Sequence, residues 1–466
     1  MTDSLDFISA RELAGLVAAR QISPVELTQR ALARAEATQA SLNAFCLLLP
    51  EQALSAARRA ESAVIRGEPL GSLHGLPISV KDLISIAGLP YASGSRAMGG
   101  NLGKYNAPAV ERVRAEGAII IGKTTTSEFG CKPVGDSPLT GITRHPWDLD
   151  KTPGGSSAGA AASVAAGITP FALGTDGGGS LRIPAAFTGL VGFKASFGRV
   201  PVWPTSATPT LAHVGALARN VGDAALLARA IAGYDARDPF SLVGPAPDFA
   251  AAAEAPVKGL RIAWSPSLGY AHPEKEVVEI TARAAQALSD QGAHVEEVDT
   301  VFDQDPAGLW RAEFYAGVGT RLKAVLETRR ELLDPAVVKV LDIALAQKLH
   351  DYYAAVFERY ELRDRMRRFF SRYDLLLSPT LPISALDAGQ DLPPGYGDEE
   401  LVTWAAYTYP FNLTGQPAAS VCAGLTQAGM PVGIQVVGKA LGEHAVLSVA
   451  AALERLHPPG YNLRMT

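Results

Sequence analysis

The chain has 466 residues, of which 47% are hydrophobic and 19% are charged, as expected of a globular protein with a large core. Its formal net charge is −5 and it contains no long basic run, which argues against nucleic-acid binding. Three widely spaced cysteines argue against a disulfide framework and fit a cytoplasmic protein, and neither a signal peptide nor a membrane span is expected.

The first part of the chain is predicted to begin with a helical layer over residues 8–66, in which Ser9 and Ser23 each precede a glutamate with capping-box spacing. A strand is expected within LHGLPISVKDLI, and a helix over 108–116. The segment 117–124, GAIIIGKT, matches the P-loop spacing letter for letter. We reject a P-loop, because three consecutive isoleucines predict a buried strand where a phosphate cradle needs exposed backbone.

The remaining elements continue the alternation of strands and helices. A β-α-β pattern covers 260–299, and residues 304–372 are predicted to form a helical insertion or cap. Further strands are expected at 189–193, 375–382 and 432–438, and further helices at 219–233 and 442–456. The whole pattern predicts an α/β protein with helices on both faces of its sheet, folded as one domain over residues 1–466.

Two glycine-flanked serine clusters lie within residues 152–184: GGSS at 154–157 and GGGS at 177–180. Glycine allows a tight turn that brings backbone N–H groups close to a ligand. A serine in such a turn can be a nucleophile surrounded by amide donors. The eight histidines show no metal-ligand spacing, so neither a metal nor another cofactor is expected.

Three serine chemistries compete for these clusters. The G-x-S-x-G pattern around Ser157 matches the nucleophile elbow of α/β-hydrolases, but the preceding HPWDLDKTPGG lacks the character of the required strand. A penicillin-binding-type enzyme needs S-x-x-K, which no lysine of the sequence satisfies. A lysine–serine–serine arrangement fits the residue types best, with Ser180 as nucleophile, Ser156 as proton relay and a distant lysine as base.

The run GGSSAGAAASVAAG followed by GTDGGGSLRIPAAFTGLVGFKASFGRV closely resembles the signature of the amidase signature family. The similarity extends upstream through LHGLPISVKD and NAPAVERVRAEGAIIIGKTTTSEF, and downstream through PFNLTGQPAASVCAGLTQAGMPVGIQVVG. It covers residues 8–235 and 375–456 and leaves the helical insertion poorly matched. The resemblance implies the family's fold, a single large mixed β-sheet covered by helices on both faces.

The resemblance also implies a catalytic triad of Lys81, Ser156 and Ser180. In this triad Ser180 attacks the amide carbonyl, Ser156, held in a cis peptide, relays the proton, and neutral Lys81 is the base. The implied oxyanion donors are the backbone N–H groups of Gly177, Gly178, Gly179 and Ser180. The residues expected to order the site around the triad are Ser157, Asp176 and Arg182.

The substrate pocket is less well defined by the sequence. Gly177 stands where the family usually has a larger residue, which is expected to reshape the mouth of the site. The pocket is expected to be walled by the helical insertion and by loops around Tyr105, Phe129, Cys131 and Trp203. Their aromatic content favours an apolar or aryl acyl group.

The sequence thus predicts an amidohydrolase that cleaves a small-molecule carboxamide through an acyl-serine intermediate and releases ammonia or an amine. The nearest alternative is the glutamine-hydrolysing A-type subunit of an amidotransferase, which would need a partner protein. A catalytically silent binding protein on the same scaffold is a third alternative, against which the intact triad argues. A homodimer is expected.

Overall fold

The structure is a computed structural model that describes residues 5–397 and 401–458. Its strands are β1 (Phe45–Leu48), β2 (Pro77–Lys81), β3 (Ile119–Thr124), β4 (Asp136–Ser137), β5 (Gly141–Ile142), β6 (Phe171–Asp176), β7 (Val191–Lys194), β8 (His213–Ala218), β9 (Arg261–Trp264), β10 (His294–Glu297), β11 (Leu375–Pro379), β12 (Ala418–Leu425) and β13 (Pro431–Gly438). One 11-stranded sheet has the order β1-β3-β2-β6-β8-β7-β12-β13-β11-β9-β10, and β4 pairs with β5 separately. Parallel and antiparallel neighbours both occur, so the predicted mixed sheet is confirmed.

Helices lie between most of these strands. They are α1 (Ala10–Ala18), α2 (Pro24–Leu42), α3 (Pro50–Arg66), α4 (Pro108–Ala115), α5 (Ala158–Ala165), α6 (Arg182–Thr188), α7 (Val221–Ile231), α8 (Phe249–Glu254), α9 (Lys275–Asp290), α10 (Ala307–Arg321), α11 (Lys323–Thr328), α12 (Pro335–Leu345), α13 (Leu349–Arg372), α14 (Pro410–Thr414) and α15 (Glu443–Leu456). None of the helices in the described ranges is both long and apolar enough to cross a membrane.

The sheet carries a hydrophobic core on each face. In β3, Ile120 packs into one core cluster, whereas its neighbours Ile119 and Ile121 pack into another. Consecutive side chains of a strand point to opposite faces, so both faces of β3 are covered. This double burial explains why β3 is an unbroken apolar run, and it confirms the predicted helical layers on both faces.

The segment 117–124, which matches the P-loop spacing, forms β3 from its third residue onward. Gly122 and Lys123 belong to the strand, and a Cβ added to Gly122 would lie 2.4 Å from the carbonyl oxygen of Leu47. The Lys123 ammonium is buried against the carboxylate of Asp82 at 2.5 Å. Gly122 therefore allows β1 to approach β3 closely, and Lys123 is held in a buried ion pair, as expected of residues in a buried strand.

The structure adds strands to the predicted elements. The predicted helical layer over 8–66 also contains β1, an edge strand that pairs antiparallel with β3. Strands β8 and β12 were likewise not predicted, because their small residues lack the alternation of a half-buried strand. Residues 304–372 contain the helices α10 to α13 and one 3₁₀ turn.

Two parallel neighbours in the sheet position the serine clusters. Strands β2 and β6 run side by side, with Val80 opposite Leu173. The carboxyl ends of parallel strands meet at one edge of a sheet, so Lys81 and Asp176 end their strands close together. The GGSS cluster leads directly into α5, which packs across β2, β3 and β6. The fold thus gathers the lysine and both clusters at one sheet edge.

The close approach of α5 to β3 predicts a steric cost. A Cβ on Gly159 would lie 2.2 Å from the carbonyl oxygen of Ala44 and 2.4 Å from Thr125 Oγ1. Gly159→Ala should therefore lower the thermal midpoint by several degrees, corresponding to about 1–3 kcal/mol of overpacking. Gly15→Ala in α1 is the matched control, because apart from its chain neighbours and the backbone of its own helix no described atom lies within 4 Å of the added Cβ. Equal melting of the two variants in differential scanning fluorimetry would contradict this packing.

Candidate active site

The amine of Lys81 is the centre of the site. The side chain is fully buried, and its Nζ lies 2.7 Å from Ser156 Oγ, 2.9 Å from Ser157 Oγ and 2.8 Å from Thr175 Oγ1. Among the described residues no carboxylate forms an ion pair with it. Burial lowers the pKa of Lys81 well below the usual range, and the more distant charge of Asp176 opposes this only in part.

Hydroxyl partners suit an uncharged amine. An ammonium has three donors and no acceptor, whereas a neutral amine has two donors and one lone pair. With three hydroxyl oxygens around it, neutral Lys81 can donate to Ser157 and Thr175 and still accept the proton of Ser156. The arrangement can therefore remove a proton from a serine without any neighbouring carboxylate.

Ser156 connects the lysine to Ser180. Its Oγ lies 2.9 Å from Ser180 Oγ, so a continuous hydrogen-bonded path runs from Ser180 through Ser156 to Lys81. The peptide bond between Gly155 and Ser156 is cis, as the family resemblance implies. A Cβ at Gly155 would lie 2.1 Å from the carbonyl oxygen of Val134, so glycine is required for this approach.

The glycine turn after β6 offers backbone donors, but not all of those predicted. The N–H of Gly179 donates to Asp176 Oδ1 at 2.8 Å and is therefore already used. The N–H groups of Gly177, Gly178 and Ser180 have no acceptor among the described residues. The predicted set of oxyanion donors is corrected accordingly: Gly179 shapes the turn, with φ at 133°, and the other three N–H groups are available.

A buried ion pair holds this turn in place. Arg182 donates through Nε and Nη2 to the two carboxylate oxygens of Asp176, at 3.0 and 2.9 Å. Asn412 adds a donor to Asp176 at 2.9 Å, and both charged side chains are fully buried. Burial alone would raise the pKa of Asp176, but the charge and hydrogen bonds of Arg182 hold it well below its usual range. Asp176 therefore stays ionised and anchored.

Two aromatic rings of the helical insertion cover the turn. Trp310 and Phe314 on α10 stack with ring centroids 4.4 Å apart, and Trp310 Nε1 donates to the carbonyl oxygen of Gly177 at 2.8 Å. A Cβ on Gly177 would meet Phe314 at 2.8 Å, and one on Gly178 would meet Trp310 at 2.8 Å. The small residue at Gly177 thus makes room for Phe314.

A small cavity opens beside Ser180. Its lining is mostly apolar and consists of Gly130, Lys132, Pro133, Gly178, Ser180, Ile183, Trp310, Phe314 and Val402. Its mostly apolar walls suit an amide with an uncharged acyl or leaving group.

Of the four predicted pocket residues, two lie next to the cavity and two lie away from it. Phe129 and Cys131 flank Gly130 of the lining but do not line the cavity themselves, and the carbonyl oxygen of the fully buried Cys131 accepts from the Tyr315 hydroxyl at 3.1 Å. Tyr105 and Trp203 instead contact each other, with ring centroids 4.8 Å apart, and neither lines the cavity. They form a partly exposed surface contact, which corrects their predicted place.

Several residues of the site were missed by sequence analysis. Thr175 and Asn412 lie inside matched segments, but their contacts with Lys81 and Asp176 are not visible in the sequence. For Trp310 and Phe314 the sequence offers one indication of a shared role. They are four residues apart on a predicted helix, which places both rings on one face.

Comparisons with known sequences and structures found the following similarities. The family model described as Amidase matches residues 26–447. An acylamidase of Rhodococcus erythropolis is 34% identical over 461 residues, which cover 98% of this chain and 96% of the relative. The glutamyl-tRNA(Gln) amidotransferase A subunit of Chloroflexus aggregans is 36% identical over 466 residues, with 94% of each chain covered. The crystal structure of a bacterial aryl acylamidase from the amidase signature family matches with a TM-score of 0.91 and 32% identity over 98% of both chains.

The contact between Gly177 and Phe314 predicts energetic coupling. Gly177→Ala should lower kcat/KM by about tenfold, because its Cβ displaces Phe314 from the cavity wall. In a Phe314→Leu background the same substitution should cost much less, since the smaller side chain leaves room. Kinetics of the four proteins of this double-mutant cycle measure the coupling. Equal losses in both backgrounds would contradict the proposed contact.

Proposed function

Because this chain belongs to the amidase family and is an amide-hydrolysing enzyme, we propose that it cleaves its substrate through an acyl intermediate on Ser180. The observation that supports this most directly is the hydrogen-bonded path from Ser180 through Ser156 to Lys81, with distances of 2.9 and 2.7 Å. A serine hydroxyl needs an adjacent base to become a nucleophile, and this path provides one.

In the first half of the reaction, Ser180 Oγ attacks the amide carbonyl carbon. Its proton passes to Ser156 Oγ while the proton of Ser156 passes to the Lys81 amine. The free N–H groups of the glycine turn, at Gly177, Gly178 and Ser180, donate to the oxyanion that forms. One such donor typically contributes about 3–4 kcal/mol to stabilising this state.

The tetrahedral intermediate then expels the amine. The Lys81 ammonium returns a proton through Ser156 to the leaving nitrogen, so the C–N bond breaks and an ester on Ser180 remains. A water molecule then attacks this ester while its proton passes through Ser156 to Lys81. The proton returns through Ser156 to Ser180 Oγ as the ester bond breaks, and the acid product leaves as the carboxylate. No step requires a metal or a redox cofactor, because the lysine and the two serines carry every proton transfer.

The proposed substrate is a small-molecule amide with an apolar acyl or aryl group. Trp310, Phe314, Ile183 and Val402 supply apolar and aromatic wall to the cavity beside Ser180. The structural similarity to an aryl acylamidase supports the same class. The cytoplasmic location and the homodimer stay predictions from the sequence.

Glutamine hydrolysis within an amidotransferase is the second candidate, and the 36% identity to an amidotransferase A subunit favours it. It predicts a partner protein that accepts the ammonia. Glutaminase activity that appears only with a stoichiometric co-purified partner would support this candidate. Hydrolysis of simple amides by the isolated chain supports the first.

Removal of any triad side chain should abolish turnover. Ser180→Ala, Ser156→Ala and Lys81→Ala should each lower kcat for a neutral amide by about a thousandfold or more, because the three groups act as one unit. Ser79→Ala is the matched control, since this buried serine of β2 contacts Ser163, and its hydroxyl makes no contact with the triad. Ammonia release measures turnover, and a fluorophosphonate probe should label Ser180 in wild type. Near-wild-type turnover of any triad variant would refute the assignment.

The lowered pKa of Lys81 predicts the pH dependence of kcat/KM. The amine must be uncharged to accept a proton, so activity is complete above its pKa in the folded protein and falls as the pH drops through that value. The acid limb should therefore lie far below the value of about 10.4 of an ordinary lysine.

Lys194 provides the control for this profile. Burial, followed by the charge of Arg182, lowers the pKa of this second buried lysine to about 7. If Lys81 is the base, Lys194→Met retains the acid limb of the profile. Loss of the limb in this variant, or a wild-type limb near that of ordinary lysine, would contradict the assignment.

A further inference from the structure

Lys132 is the one charged residue among the described residues that line the cavity beside Ser180. Its ammonium is surrounded by the carboxylates of Asp136 at 2.6 Å, Asp334 at 2.7 Å and Asp391 at 2.7 Å. We call these four side chains the Lys132 cluster. The carboxylates come from three separate segments of the chain: β4, the N-terminus of α12 and the segment between β11 and α14.

The Lys132 cluster carries a surplus of negative charge. One ammonium faces three carboxylates, so the four groups sum to −2 when all are ionised. Burial would lower the pKa of Lys132, but the charges of Asp136 and Asp391 outweigh it and keep the ammonium protonated. The second oxygen of Asp136, Oδ1, is buried without a hydrogen-bond donor in the described part of the chain. Its charge is therefore incompletely neutralised.

No other cation among the described residues that line the cavity compensates for this surplus. The Arg182 guanidinium is fully buried and engaged by Asp176, Asn412, Gln435 and the carbonyl oxygen of Thr408. Burial lowers the pKa of Lys81 well below its usual range, which favours the uncharged amine. A carboxylate on a bound substrate would consequently find no free positive partner and would face the excess negative charge of the Lys132 cluster.

We infer that the Lys132 cluster makes this cavity select uncharged amides and reject amides whose acyl chain ends in a carboxylate. The inference rests on the proposed function, since it names the substrate class of the same site. It assigns the carboxylates of Asp136 and Asp391 a role in specificity: they cancel the positive charge with which Lys132 would otherwise attract an anionic substrate. Charges act over several ångströms in a partly buried site, so direct contact with the substrate is not required.

Two substrates of equal length test the inference. Hexanamide has an apolar chain end, and the monoamide of adipic acid carries a carboxylate at the same place. At about pH 8, where carboxylates are ionised, wild type should show a kcat/KM about tenfold or more higher for hexanamide. Asp136→Asn and Asp391→Asn should each reduce this preference several-fold, and the double variant should reduce it further, because each removes one negative charge beside Lys132.

The variants are chosen to keep the fold. Asp334 is left intact because its side chain caps α12 by accepting from the N–H of Ala336 at 3.0 Å. Asp374→Asn is the matched control: its side chain is as exposed as that of Asp391, at 29%, and it pairs with Arg261 outside the cavity lining. The control should leave the preference unchanged. A ratio of two rates from one preparation is insensitive to the fraction of enzyme that is folded.

Binding to Ser180→Ala separates this inference from the proposed mechanism. Calorimetry should show weaker binding of the adipic acid monoamide than of hexanamide, and Asp136→Asn with Asp391→Asn should remove the difference. If wild type turns over neither amide while this binding preference holds, the proposed acyl chemistry fails and the inference stands. Equal affinity and equal kcat/KM for the two amides, or a preference unchanged in the double variant, would overturn the inference.

Discussion

The chemistry of the site depends on the burial of one amine without a counter-charge. Lys81 ends β2 in a fully buried position and meets three hydroxyls. A carboxylate in place of any of them would stabilise the ammonium and remove the lone pair that accepts the serine proton. Burial is costly for a charged lysine and nearly free for a neutral one, so the fold itself selects the basic form.

The nearby acid, Asp176, is kept away from that amine by its own partners. Its carboxylate accepts from Arg182, Asn412 and the N–H groups of Gly179 and Leu181. These bonds fix the glycine turn and satisfy the carboxylate oxygens, so the carboxylate forms no ion pair with Lys81. Removing one side of a buried, hydrogen-bonded pair typically costs about 3–5 kcal/mol. The same pair therefore maintains both the oxyanion donors and the separation of charges.

Local sequence patterns predicted the elements that carry the triad, because β2 and the two serine clusters are specified by nearby residues. Contacts made over long sequence distances were not predictable. The use of the Gly179 N–H by Asp176 depends on the turn geometry, and the cover over Gly177 comes from Phe314, 137 positions later in the sequence. Tyr105 was predicted to lie in a loop that walls the pocket, but its ring packs on Trp203 at the surface.

The protonation state of Lys81 can be observed without turnover. In Ser180→Ala protein with ¹³C-labelled lysine, the Cε resonance reports the titration of each amine, and its absence in a Lys81→Met variant assigns the signal. We predict that the assigned resonance is that of a neutral amine at neutral pH and titrates far below the usual value of about 10.4. A resonance that stays that of an ammonium up to about pH 10 would contradict the role of Lys81 as the base.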